Sequence, residues 1–164
     1  MSAPEAAPPA LKNPFLVIFT LGALSTISPF AIDMYLPAFG QIAADFHTSS
    51  AAVGLSLSTY FAGMAVGPLI YGPLLDRYGR KPPLYAGLAL FVLTSVGCVL
   101  APNIDVLIWL RLFQALGGCA ASVAAMSLVR DLFPPRDTAK IISLIILTIG
   151  VSPLLAPTFG GLIT

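Results

Sequence analysis

Five stretches of this sequence run for about 20 residues or more with almost no charge, the length one helix needs to cross a hydrocarbon layer about 30 Å thick. They cover about residues 14–37, 50–75, 83–101, 105–129 and 138–164, and charge, Pro or Gly bounds each of them. With 57% hydrophobic residues and only eight basic and seven acidic ones among 164, the chain has too little polar surface to fold as a water-soluble domain. The expected fold class is an all-α polytopic membrane protein. Residues 1–13, "MSAPEAAPPALKN", read as a short cytoplasmic tail rather than a cleaved signal peptide, and residues 14–164 as the membrane domain.

The basic residues orient the spans, because short loops rich in Lys and Arg stay on the cytoplasmic side. Lys12 precedes the first span, Arg77, Arg80 and Lys81 follow the second, and Arg130, Arg136 and Lys140 flank the connection into the fifth. The other two loops carry only Asp45, His47 and Asp105, so the amino terminus is expected inside. Cys98 and Cys119 both fall in apolar runs and read as small buried side chains, not as a disulfide.

The inside loop between the second and third spans, "GPLLDRYGRKPPL" at residues 72–84, needs more than orientation to account for it. Topology explains Arg77, Arg80 and Lys81, and turn chemistry explains Gly79, Pro82 and Pro83. Neither explains the acid Asp76, nor the spacing G-x-x-x-D-R-x-G-R-K that begins at Gly72. This pattern resembles the signature of the major facilitator superfamily, where the loop joins the second and third of twelve helices in a secondary transporter. The resemblance implies that Arg80 pairs with Asp76 and with Asp131 of "LVRDLFPPRD", forming a charge cluster that locks one state of the transporter. Gly72 is expected to allow close approach of another helix.

Two charges lie inside spans, where an ionisable group is costly and marks a functional candidate. Asp33 sits roughly 6 Å inward of Pro37, and Arg111 roughly 8 to 9 Å inward of Asp105, so both belong to the outer half of the membrane. Gly22, Thr26, Pro29 and Asp33 share one arc of the first span; Arg111, Ala115, Gly118, Ser122 and Ala125 share one of the fourth. If the stripes face each other, Asp33 and Arg111 neutralise one another, with Gln114 one turn away. Protonation of Asp33 would then release Arg111, a minimal form of antiport. The plainer alternative is that both side chains reach the outer interface and serve topology alone.

Three further segments carry the resemblance. "RLFQALGGCAAS" from Arg111 is similar to the family's fourth-helix pattern R-x-x-Q-G-x-G, in which the Arg is linked to proton transfer. Ala115 stands where the first patterned Gly would be, which predicts a slightly looser helix contact. "SPLLAPTFGG", residues 152–161, is similar to the antiporter pattern G-x-x-x-G-P-x-x-G-G, with Ser152 and Ala156 in place of the first two glycines and Pro157, Gly160 and Gly161 retained. Pro153 and Pro157 remove helix hydrogen bonds, so this span is expected to bend. With "DMYLPAFGQIAADF", residues 33–46, these segments resemble the Bcr/CflA branch of multidrug/proton antiporters.

The resemblance implies the amino-terminal helix bundle of that superfamily, with five spans of an expected six, in the inner membrane of a bacterium. It implies proton-coupled efflux of amphipathic or drug-like small molecules by alternating access, with no bound cofactor and the proton gradient as energy source. The missing carboxy-terminal half would supply the other wall of the path, which makes the 164 residues look like a fragment. No nucleic-acid partner is expected. The spans hold no Ser/His, paired-Asp or metal-ligand set, His47 being the single histidine, so neither an intramembrane enzyme nor a metal site is expected. "LGGCAAS" lacks the Lys of a phosphate loop. Transport of one defined metabolite, or a noncatalytic role in a membrane assembly, remain as alternatives.

Overall fold

The structure is a computed structural model that describes residues 13–163, with side chains described as far as residue 153. The expected cytoplasmic tail lies outside the described residues except for Asn13. Six helices follow in order: α1 Pro14–Asp33, α2 Phe39–Asp45, α3 Ser50–Tyr78, α4 Lys81–Val99, α5 Ile104–Leu132 and α6 Pro135–Ile163. Among the described residues α1, α3, α4 and α5 are each long and apolar enough to cross a membrane. Their outward faces carry large apolar side chains such as Phe15, Leu69 and Val99, which suits contact with lipid.

Local chemistry sets the helix ends. Pro14 opens α1 and Pro82 opens the first turn of α4, positions at which a missing N–H costs nothing. The Ser49 hydroxyl accepts from the Ala52 N–H at the start of α3, and Asn103 Oδ1 from the Val106 N–H at the start of α5. Gly79 closes α3 at φ 78°, a left-handed conformation that glycine adopts without strain. The helix α1 stops at Asp33, short of the end of its apolar run, because Pro37 cannot donate to the Asp33 carbonyl and disfavours helix at the residue before it. The chain then turns and forms α2, seven residues that the sequence reading placed in a loop.

The centre of the bundle is α5, whose buried face is mostly small residues. Lipid gives helices no hydrophobic reason to associate, so close packing has to hold them, and small residues permit it. Ala115 meets Gly63 of α3, where an added Cβ would lie 2.8 Å from both the Ala115 Cβ and the Leu112 carbonyl oxygen. Cys119 fills the space over Gly67, Ala120 the space over Gly87 of α4, and Ser28 of α1 lies against Gly118. The looser contact expected from Ala115 is therefore not found: Gly63 on the partner helix removes the methyl that Ala115 adds. Pro68 leaves the Met64 carbonyl without its helical donor, and the Cys119 thiol comes within 3.7 Å of that oxygen. On the other side α6 packs along α1, with Leu21, Ala125, Val129, Ile141 and Ile145 closing a core between α1, α5 and α6.

Candidate functional site

At one end of the bundle the short α3–α4 connection brings three charges together. Arg80 Nε donates to Asp131 Oδ2 at 2.8 Å and Nη2 to Asp131 Oδ1 at 3.4 Å, while Nη1 donates to Asp76 Oδ1 at 3.1 Å. One guanidinium thus ties the end of α3 to the end of α5 through a forked contact. The Asp131 hydrogen bond is the main reason the Arg80 guanidinium is held above its ordinary range, so it stays charged at any pH a cell meets. All three side chains reach solvent, and Asp76 is 76% exposed, so each pair contributes only about 0–1 kcal/mol to stability. Arg77 stacks loosely on Tyr78 at 5.4 Å, and Lys81 is exposed. A Cβ on Gly72 would meet nothing within 4 Å, so the close approach expected there is not made among the described residues.

The opposite end holds the two charges that lie inside helices. Arg111 is 5% exposed, which removes the alternative that it reaches the interface. Its Nη1 donates to Gln114 Oε1 at 2.9 Å and to the Ala31 carbonyl at 3.4 Å. The guanidinium lies over the Tyr35 ring, 3.6 Å from its centroid, with the Tyr60 ring at 5.4 Å. Gln114 Nε2 in turn donates to Ser95 Oγ at 2.7 Å, extending the network to α4. Tyr35 is fixed from its other end by a 2.6 Å hydrogen bond between its hydroxyl and Ser56 Oγ on α3. A cavity of about 450 Å³, lined by Arg111, Gln114, Tyr35, Cys98 and apolar side chains, adjoins this cluster.

Asp33 and Arg111 do not pair. The ion pairs among the described residues are the two at Arg80 and one between Arg136 and Asp137. Asp33 Oδ2 instead accepts from the Ser152 hydroxyl of α6 at 2.9 Å. The reason is the rotation of α1. Its row of Leu21 and Ser28 turns toward α5, so the stripe holding Gly22 and Asp33 turns to α6, where Gly22 faces Thr148 and Asp33 faces Ser152. The positive charge left on α5 is taken up by an aromatic face, an amide oxygen and a backbone carbonyl.

Thr26 is separated from this cluster. Its hydroxyl donates to the Gly22 carbonyl of its own helix at 2.6 Å, and its side chain lines a groove of about 550 Å³ between α1 and α6 with Phe19, Phe30, Thr148 and Ser152. The helix α6 continues through Pro153 and Pro157; the side chains of Ala156, Pro157, Gly160 and Gly161 lie outside the described residues. Sequence reasoning missed Tyr35, Tyr60 and Ser95, because it looked for an acid to balance Arg111. The available signal was Tyr35 itself, two residues after Asp33 in "DMYLP", since an aromatic face can substitute for a counter-ion.

The sequence model of the family described as Major Facilitator Superfamily matches residues 21–164. The chain is 40% identical over 155 residues to an uncharacterized MFS-type transporter, YdgK, of Bacillus subtilis, covering 94% of this chain and 39% of that protein. It is 39% identical over 152 residues to a bicyclomycin resistance protein homolog of Haemophilus influenzae, covering 93% and 38%. To the multidrug resistance protein MdtL of Escherichia coli O157:H7 it is 41% identical over 141 residues, covering 86% and 36%. The chain thus spans less than two fifths of the length of these relatives.

Proposed function

The chain belongs to the Major Facilitator Superfamily of membrane transporters, and from that premise we propose that it forms one wall of a proton-coupled exporter of drug-like small molecules. The observation that carries the coupling is the outer-end layer, in which partly buried Asp33 on α1 accepts from Ser152 while buried Arg111 on α5 reaches the Ala31 carbonyl, two residues before Asp33. An acid that can trade its proton beside a desolvated base gives a site whose charge alternates. Substrate breadth is inferred from the names of the relatives, one a multidrug resistance protein and one a bicyclomycin resistance protein homolog. Alternating access then moves the layer between the two sides, with the remaining wall supplied by residues beyond this chain. In this proposal the end bearing Arg80 faces the cytoplasm, as its basic loop favours, and the membrane is the bacterial inner membrane. The proton gradient supplies the energy and no cofactor takes part.

Full-length protein expressed in a drug-sensitive host is expected to raise tolerance to several chemically unrelated compounds. The same compounds, added to inside-out vesicles acidified by respiration, should release protons from the lumen. Tolerance to a single compound, or none, with no proton release rejects the proposal.

The charge cluster at the other end is assigned the part of a latch between states. Arg80→Ala is expected to lower stability by no more than about 2 kcal/mol, because it removes two exposed pairs worth about 0–1 kcal/mol each, and to reduce export severalfold. Wild-type turnover in that variant, measured in the same vesicles, refutes the latch.

A further inference from the structure

Many Ser and Thr hydroxyls on these helices share a habit, although Ser56 and Thr59 bond three residues back and Ser28 finds no partner among the described residues. Thr20, Ser25, Thr26, Ser58, Thr94, Ser95, Ser143 and Thr148 all donate to the carbonyl four residues earlier in their own helix. Ser152, 2% exposed, departs from it: its hydroxyl crosses to Asp33 on α1. Among the described residues this is the one side-chain hydrogen bond between α1 and α6.

Two circumstances give the contact weight. Asp33 is the last residue of α1, where the unpaired carbonyls of the helix end repel an anion, and Arg111 is turned toward Tyr35, Gln114 and the Ala31 carbonyl. The carboxylate therefore has Ser152 as its described side-chain donor. The next residue, Pro153, has no N–H for the Ile149 carbonyl, so α6 lacks an axial hydrogen bond beside the point where Ser152 meets Asp33.

We infer that Ser152 is a positioning residue for Asp33, orienting its carboxylate and coupling its charge to the setting of α6 at Pro153. The inference rests on the reading of Asp33 as the proton site. When a proton from the aqueous side binds a carboxylate oxygen, the charge-assisted hydrogen bond weakens, and the Ser152 hydroxyl is free to swing back to the Thr148 carbonyl as its counterparts do. On α5, which packs against α1, the ionisable groups toward this end are Arg111 and, about 9 Å further along the helix, Asp105, and Tyr35 stands in the turn after α1. Arg136, Asp137 and Lys140 of α6 lie more than three helical turns from Ser152.

The test uses the full-length protein in nanodiscs, labelled across a pH series with a hydrophobic carbodiimide, which reacts with protonated carboxyls in apolar surroundings. Mass spectrometry of the Asp33 peptide gives the extent of reaction. A donated hydrogen bond favours the ionised carboxylate, so its removal makes protonation easier. In Ser152→Ala the half-labelling pH is expected to rise by about one unit, while Ser152→Thr, which keeps the hydroxyl, should stay near wild type. A merely structural role would lower the melting temperature and leave the labelling curve in place, and an unmoved curve in Ser152→Ala overturns the inference. Labelling needs no transport, so its outcome is separate from that of the export assay: retained proton-driven export in Asp33→Asn would sink the proton-site reading whatever the labelling shows.

Discussion

Asp33→Asn is expected to reduce proton-driven export to the level of vesicles lacking the protein, while the protein still inserts and accumulates. The substitution changes little but the proton. The Asn oxygen occupies the place of Oδ2 and still accepts from the Ser152 hydroxyl, so the α1–α6 contact survives. The packing of α1 on α5 depends on Leu21 and Ser28, which lie on a different face. What is lost is the capacity to alternate between a charged and a neutral state at the same end of the bundle as Arg111, whose guanidinium has no carboxylate paired to it among the described residues. An uncharged amide gives the α1–α6 contact one state only, and a coupled cycle needs two. Substrate-dependent proton release from inside-out vesicles, alongside the yield of folded protein, measures both halves of the expectation. Undiminished antiport in the variant would remove Asp33 from the mechanism.

Of the Arg80 cluster, the Asp76 partner is legible from local spacing, four residues away, whereas Asp131, 51 residues away, is expected from the family resemblance. Asp76 and Arg80 sit around one tight turn, and Asp131, next to last in α5, reaches Arg80 through the packing of α5 on α3 and α4. The outer-end layer could not be read from sequence, because a helical wheel gives angles within one helix but not the rotation of that helix against its neighbours. The wheel grouped Gly22, Thr26 and Asp33 correctly on one side of α1, yet that side faces α6, while Leu21 and Ser28 take the contact with α5. Thr26 was thereby separated from Arg111. The search for counter-ions overlooked Tyr35, since the residues capable of neutralising a buried guanidinium include those without charge. The short α2 escaped because seven residues give too few turns for a period to show.

The same limit, angle without partner, applies to the glycines, and it separates those that hold the fold from those that merely occupy helices. Gly117→Val should be among the most damaging substitutions in the chain. A Cβ at that position would lie 2.6 Å from the Phe91 nitrogen and 2.8 Å from the Gly87 carbonyl oxygen, both backbone atoms of α4 that no side-chain rotation can move aside. The helices would have to separate, opening the contact between Ala120 and Gly87 as well and disturbing Ser95, which receives the Gln114 hydrogen bond. In a membrane no gain from burying the exposed surfaces compensates for lost van der Waals contact. Overpacking of this kind costs about 1–3 kcal/mol and more where backbone is the obstacle. Gly54→Ala provides the contrast: nothing lies within 4 Å of its added Cβ, and Ala is the better helix former, so stability should hold or rise slightly. Melting of the detergent-purified variants, followed by the retention of a monodisperse species after heating, distinguishes the two. Equal melting of Gly117→Val and Gly54→Ala would mean that the α4–α5 seam is not closed by glycine packing at all.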